Sequence, residues 1–387
     1  MYQSRPHYHL LDGLRGVAAL VVLVYHLFEA IAFAAGAPEQ NLYHGFMAVD
    51  FFFILSGFVM GYAYDERWTN TPSSRTATQE GTTLTFWGFV RRRLIRLHPM
   101  VVAGVVMGVV AFCIQGCETW SGEKVATETI LWGTLLALFL LPAGPALDIR
   151  GNTEMFPLNG PHWSLFFEYI GSLLYALLLR RMSTRWLKVW VGVSAFLLIS
   201  NGLYQGEGFI AYGWSSVPSN MLGGLLRLSF GYPAGLLLAR LFRKRRPQPL
   251  KGPIFLLCSL ALIGLLAMPN LNHGAWSSRV YLSVWYQVLC LTVFFPAIVW
   301  VAARGLASGR KEKVIRFLGR LSYPLYAIHY PLIYLYIDWI NKGLHPFGEA
   351  AWTTPVALGV IALALGTFFL LCYDEPVRRF LNRKSQK

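Results

Sequence analysis

Charge is scarce in this chain. Of 387 residues only 14% are Asp, Glu, Lys or Arg, against 55% hydrophobic, and the mean hydropathy is +0.46. That balance argues against a soluble cytosolic enzyme. Acidic residues are the scarcest, 19 against 34 Lys plus Arg, for a net charge of +15. Such an excess raises nucleic-acid binding as a reading. Basic loops gathered on one face of a membrane protein account for it better, and no nucleic-acid partner is expected. Cysteine is sparse too. The five, Cys113, Cys117, Cys258, Cys290 and Cys372, are odd in number and lie in or beside apolar stretches, which implies no disulfide framework. Cys113 and Cys117 share a helix face without His or further Cys nearby, so no metal site is expected. The sequence also lacks a Walker-type phosphate loop, an HExxH helix and a GxSxG elbow. Nor does it contain a polar stretch able to fold as a separate domain. The longest, Asp65 to Thr85 with Pro72, Ser73 and Ser74, reads as a flexible loop, so a single membrane domain over 1–387 with no fused soluble domain is expected.

What is abundant is apolar helix. Aromatics make up 15% of the chain, including 13 Trp and 19 Tyr, the rings that collect at bilayer interfaces. About eleven apolar stretches approach the ~20 residues that a crossing needs. Eleven crossings would scatter the basic clusters, Arg91 to Arg96, Arg180 to Lys188, Arg243 to Arg246 and Arg310 to Arg316, over both sides. If Ile130 to Gly144, the shortest stretch and bounded by Pro142 and Pro145, re-enters instead of crossing, all of them fall on one side with Arg378, Arg379, Arg383 and Lys384. The opposite side then receives Glu118, Glu123, Glu207, Asp338 and Glu349. The expectation is an all-α polytopic bundle of about ten crossings plus a re-entrant segment, both termini cytoplasmic.

Ionisable residues inside crossings cost at least roughly 2.5 to 3.5 kcal/mol each, so each points to function. The first crossing carries Asp12, Arg15 and His26. Arg15 and His26 share a helix face about 16 Å apart. A lone histidine in a bundle is more often structural, but His26 is not alone. Phe86 to Leu97 has the pattern of an in-plane amphipathic helix, with Arg93 in the middle of its apolar face and Arg96 at the edge. Snorkelling explains Arg91 and Arg92 but not Arg93. An inward pair of guanidinium forks suits phosphate binding. His162-Trp163-Ser164 leads to Glu168, a carboxylate within depth of His26 that either fixes its tautomer or pairs with another buried base. Tyr323 and His329 open the penultimate crossing, where a structural polar cluster is the simpler reading. Ser56, beside Gly57, reads as packing.

Together these segments resemble the acyltransferase-3 family of integral membrane acyltransferases. The resemblance rests on LDGLRGVAALVVLVYH with Arg15 and His26; on VDFFFILSGF from Val49, with Asp50 and Ser56; and on RRRLIRLHP with Arg93 and Arg96. HWSLFFEY, with Glu168 at the family's acidic position, and LGRLSYPLYAIHYP, with His329, complete it over nearly the whole chain. It implies an enzyme moving an acyl group, commonly acetyl, from cytoplasmic acyl-CoA to a hydroxyl of a carbohydrate or other cell-envelope or small-molecule acceptor. In that reading Arg93 and Arg96 hold the donor's phosphates with Arg15 lining the entry, and His26, oriented by Glu168, is the general base. Acyl-CoA is then a co-substrate, with no tightly bound cofactor, and the protein is multi-pass in the inner membrane. A proton-coupled secondary transporter is the rival, since buried His, Arg and Glu also make proton relays, although no internal repeat is evident.

Overall fold

The computed structural model describes residues 8–34, 43–68, 84–205, 208–210, 212–270, 280–307, 309–343 and 353–383. Pro72, Ser73, Ser74, Glu207, Glu349 and Lys384, used above for the loop and the charge pattern, lie outside them. The helices are α1 His9–Ala34, α2 Ala48–Tyr64, α3 Phe86–Ile114, α4 Thr127–Leu138, α5 His162–Leu177, α6 Thr184–Gln205 and α7 Pro218–Arg245. After these come α8 Ile254–Leu266, α9 Val280–Leu289, α10 Phe295–Arg304, α11 Gly309–Asn341, α12 Thr353–Phe369 and α13 Glu375–Arg383. A π-helical turn joins α9 to α10 and another joins α12 to α13. The described residues form only isolated β-bridges. Among the described residues eight spans are long and apolar enough to cross a bilayer, and the chain is an all-α multi-pass membrane protein.

α4 has 12 residues, about 18 Å of helix, short of the ~30 Å hydrocarbon core. The Trp120 amide before it donates to the Arg150 carbonyl after it at 3.1 Å, so the chain enters and leaves this segment at one end of the bundle. That is the geometry expected of a re-entrant segment. The amphipathic stretch from Phe86, by contrast, is no element of its own. It is the opening of α3, which runs unbroken through Pro99 to Ile114. A proline removes one backbone hydrogen bond, and the rest of this 29-residue helix holds across the gap.

Helix pairs close where glycine permits. A Cβ on Gly57 of α2 would sit 1.9 Å from the Tyr232 carbonyl oxygen of α7, and one on Gly235 the same distance from the Ile54 carbonyl oxygen. Gly57 with Gly61 and Gly231 with Gly235 are four-residue small-residue spacings that bring two backbones together. α1 crosses α11 in the same way, with Gly16 against Leu318 and Gly319 against Asp12.

The basic stretches meet at one end. Arg240 bonds Asp65 at 3.0 Å and the carbonyls of Leu179 and Met182, Arg243 bonds Glu66 and the Gly61 carbonyl, and Arg320 bonds Glu375 at 2.6 Å. At the other end, residues 148–161 form a built loop. Asp148 accepts from the amides of Arg150, Gly151 and Thr153, and Met155 N donates to Trp214 O across to the segment before α7.

Candidate active site

Two polar centres lie along α1. The one nearer the basic end gathers round Glu168 of α5. Arg93 Nη2 bonds Glu168 Oε1 at 2.7 Å and Ser56 Oγ donates to the same oxygen at 3.1 Å. Arg93 is 5% exposed, and Arg15 and Arg96 bring their charges within reach of the same carboxylate. Arg15 also pairs with Asp12 at 3.5 Å. Arg96 is exposed and makes no hydrogen bond or ion pair among the described residues. Tyr323 donates to the Leu97 carbonyl beside them. The expected guanidinium pair is therefore divided, with Arg93 committed to Glu168 and Arg96 open.

About three turns along α1, a cavity of about 160 Å3 opens at the end opposite the basic clusters. His26 lines it, and its Nδ1 meets Glu29 Oε2 at 2.6 Å. The carboxylate that holds His26 is thus Glu29, one turn along the same helix, and not Glu168, whose oxygen faces Arg93 and Ser56. With its proton held on Nδ1 by a carboxylate, the ring keeps the Nε2 lone pair for a reacting group. Tyr25 Oη donates to the other Glu29 oxygen at 3.2 Å.

His329 stacks on His26, with centroids 5.3 Å apart and planes 30° apart. Its Nδ1 lies 2.9 Å from the Tyr326 carbonyl, which can only accept, so the proton sits there and Nε2 is buried without a partner among the described residues. Pro331 lacks the amide that would bond the Ala327 carbonyl four residues back, and Asn159 Nδ2 fills that place at 2.7 Å. His162 is fully buried beside Gly104, away from the cavity wall. Ser164 Oγ meets Tyr326 Oη at 2.7 Å. Asp50 holds Arg227 bidentately at 2.9 and 2.8 Å with both residues 1% exposed, and the guanidinium lies 5.1 Å from the Trp163 ring centroid on the cavity wall. Of the sequence candidates, the structure brings His26, His329 and Trp163 to the cavity region, and Arg15, Arg93, Arg96 and Glu168 to the other centre.

Several lining residues carried no flag in the sequence. Glu29 and Arg227 are charges within apolar runs and meet the test that singled out Arg15 and Arg93. Glu154 lies in the loop and gave no such signal. It is 7% exposed, receives the Tyr334 phenol and, at 3.4 Å, Asn152 Nδ2, and burial pushes its carboxyl up to about 7. Arg150, next in the cluster, is pushed down by burial. A larger groove of about 710 Å3 between α3, α5 and α13 is almost wholly apolar and holds none of the candidates.

A polytopic helical bundle with a histidine–carboxylate pair on an internal cavity defines a membrane protein equipped for general-base chemistry. Residues 8–372 match the acyltransferase domain family, and the chain belongs to it. It is a membrane acyltransferase. It is 32% identical over 206 residues to protein 2 in the picA locus of Rhizobium radiobacter, covering 51% of this chain and 97% of that one. It is 24% identical over 403 residues to acyltransferase MdmB of Streptomyces mycarofaciens, covering 97% and 92%. Peptidoglycan O-acetyltransferase OatA of Listeria monocytogenes is 25% identical over 354 residues, which are 86% of this chain and 50% of OatA, so the chain spans half of that relative's length. No solved structure matches.

Proposed function

We propose that this protein transfers an acyl group, acetyl first among candidates, from acyl-CoA to a hydroxyl of a glycan or glycan-like acceptor. The donor enters at the basic end, which the positive-inside rule makes cytoplasmic. Ten crossings with both termini cytoplasmic, in the plasma membrane, complete the topology.

Arg96 and Arg15 hold the donor's phosphates, while Arg93 and Glu168 position them by fixing the helix faces that carry them. The acceptor hydroxyl reaches the cavity from the opposite end. His26 Nε2 takes its proton, the oxygen attacks the thioester carbonyl, the carbon–sulfur bond breaks, and the proton passes to the departing thiolate. Glu29 positions the ring and stabilises its cation.

The observation that carries this reading is the 2.6 Å His26–Glu29 contact on the cavity wall. Radiolabelled acetyl-CoA supplied to membranes tests it. Label should enter an envelope fraction with wild-type protein and be lost with His26→Ala at matched expression; equal labelling by both would remove His26 as the base.

A further inference from the structure

The cavity wall away from His26 is built with the same care as the reacting pair. Asn152 and Glu154 lie in the loop after α4, and the indoles of Trp120, Trp163 and Trp214 line the same cavity. Glu154 is fixed from several directions. The Tyr334 phenol donates to one oxygen, Asn152 faces the other, its backbone bridges to Ser215, and Thr153 Oγ1 meets Ser215 Oγ at 2.8 Å. A carboxylate and an amide beside indoles match a polyhydroxylated ring, whose hydroxyls bond the polar groups while its C–H faces lie on the aromatics.

The charge on this wall is one-sided. Two carboxylates line the cavity, Glu29 and Glu154. Arg227 is the arginine that lines it, and its fork is already taken by Asp50 and the carbonyls of Tyr212 and Phe46. Arg150 stands behind Tyr334, 3.5 Å from that ring's centroid, with Nε on the Pro157 carbonyl and Nη1 on Gln115. Among the described residues no uncommitted arginine or lysine lines the cavity.

We propose that this wall is an acceptor subsite that selects by charge, taking an uncharged or cationic polyhydroxylated ring and rejecting an anionic one, with Glu154 as the residue that discriminates. The proposal rests on the acyltransferase reading for the subsite's purpose. The subsite's binding is measurable without any donor. Glu154 is faced by Arg150, Asp148, Tyr334 and Asn152 on its own side and by Tyr330, Glu29 and His26 across the cavity. Its raised carboxyl makes rejection of anions strongest above neutrality and weaker in acid.

The test uses the purified full chain in nanodiscs with methyl glucoside, glucosamine and methyl glucuronide as probes, followed by saturation-transfer NMR without acyl-CoA. At about pH 8 methyl glucoside and glucosamine should bind about tenfold or more tighter than the uronide, a gap that should narrow at about pH 5.5. Glu154→Gln should narrow it at about pH 8, toward the gap that wild-type protein shows at about pH 5.5, while retaining the neutral sugar. Equal binding of the uronide at about pH 8 would overturn the proposal, as would binding of none of the three, or a wild-type ratio in Glu154→Gln at about pH 8. The pH comparison uses wild-type protein and stands even if that variant does not fold. Selective binding with no acyl transfer in the labelling assay would sink the proposed transfer from acetyl-CoA to an envelope acceptor and leave charge selection intact.

Discussion

Replacing Glu29 by Gln isolates the electrostatic part of the proposed chemistry. The variant keeps the side chain's size and an acceptor oxygen but loses the charge that stabilises protonated His26. The contact is 2.6 Å with side-chain exposures of 17% and 22%, a short charge-assisted bond in partly screened surroundings. Hydrogen bonds to charged groups contribute about 1.5–3 kcal/mol, and partial exposure puts this one near the lower end. At about 1.4 kcal/mol per tenfold, kcat should fall about 10- to 30-fold. KM for acyl-CoA should hold, because Arg15 and Arg96 lie at the other centre. His26→Ala should cost about 10²- to 10⁴-fold, and the double variant should fall no further than His26→Ala, because Glu29 acts through the imidazole. Acetyl transfer by purified protein, at varied acetyl-CoA, provides the three comparisons. A wild-type kcat in Glu29→Gln, or losses that multiply in the double variant, would refute the positioning role.

Asp50→Ala should strand Arg227 in the core and lower stability by about 3–5 kcal/mol, whereas replacing both by leucine should recover much of it; thermal unfolding in detergent decides. Gly235→Ala forces α2 and α7 apart, since its Cβ would sit 1.9 Å from the Ile54 carbonyl, and should destabilise by about 1–3 kcal/mol or more by the same measurement. Arg96→Gln should raise KM for acyl-CoA with kcat nearly kept, while Arg93→Gln should also lower stability because Glu168 loses its partner; kinetics and unfolding together separate the two. Glu154 has a folded pKa of about 7 against an ordinary 4.5, so the fold holds its proton more tightly than the unfolded chain. Its stabilising contribution is full below about 4.5 and is lost as pH rises through about 7, and Glu154→Gln should flatten that part of the unfolding profile.

The helices and the first polar residues were legible because hydropathy and helical periodicity are local properties. Arg15 and His26 share a face by spacing alone, and Arg93 stood out as a cation on an apolar stripe. Partner choice was not local. Glu168 could be placed at the right depth from sequence, but only the packing of α5 against α3 shows that Arg93 takes it first. Glu29 was within reach of the same reasoning, three residues after His26 on one helix. Residues 139–161 carry no periodicity, and their shape comes from Asp148 accepting three amides and from positive φ at Leu140, Gly151 and Thr153. The continuity of α3 escaped because a proline after an amphipathic run signals a boundary as readily as an interior site.

α1 also acts as a ruler. It is one unbroken helix of 26 residues clamped by glycine contacts to α11, so the separation of about 16 Å between Arg15 and His26 is set by the rise of the helix. Any molecule that is gripped by its charge at one mark and reacts at the other must carry a slender arm of matching length. Truncated thioesters that keep the acyl group but lack that reach would meet the imidazole without an anchor, or the anchor without the imidazole. Selection for the carrier would then be a measurement of length, made by the backbone before any side chain touches the acyl group.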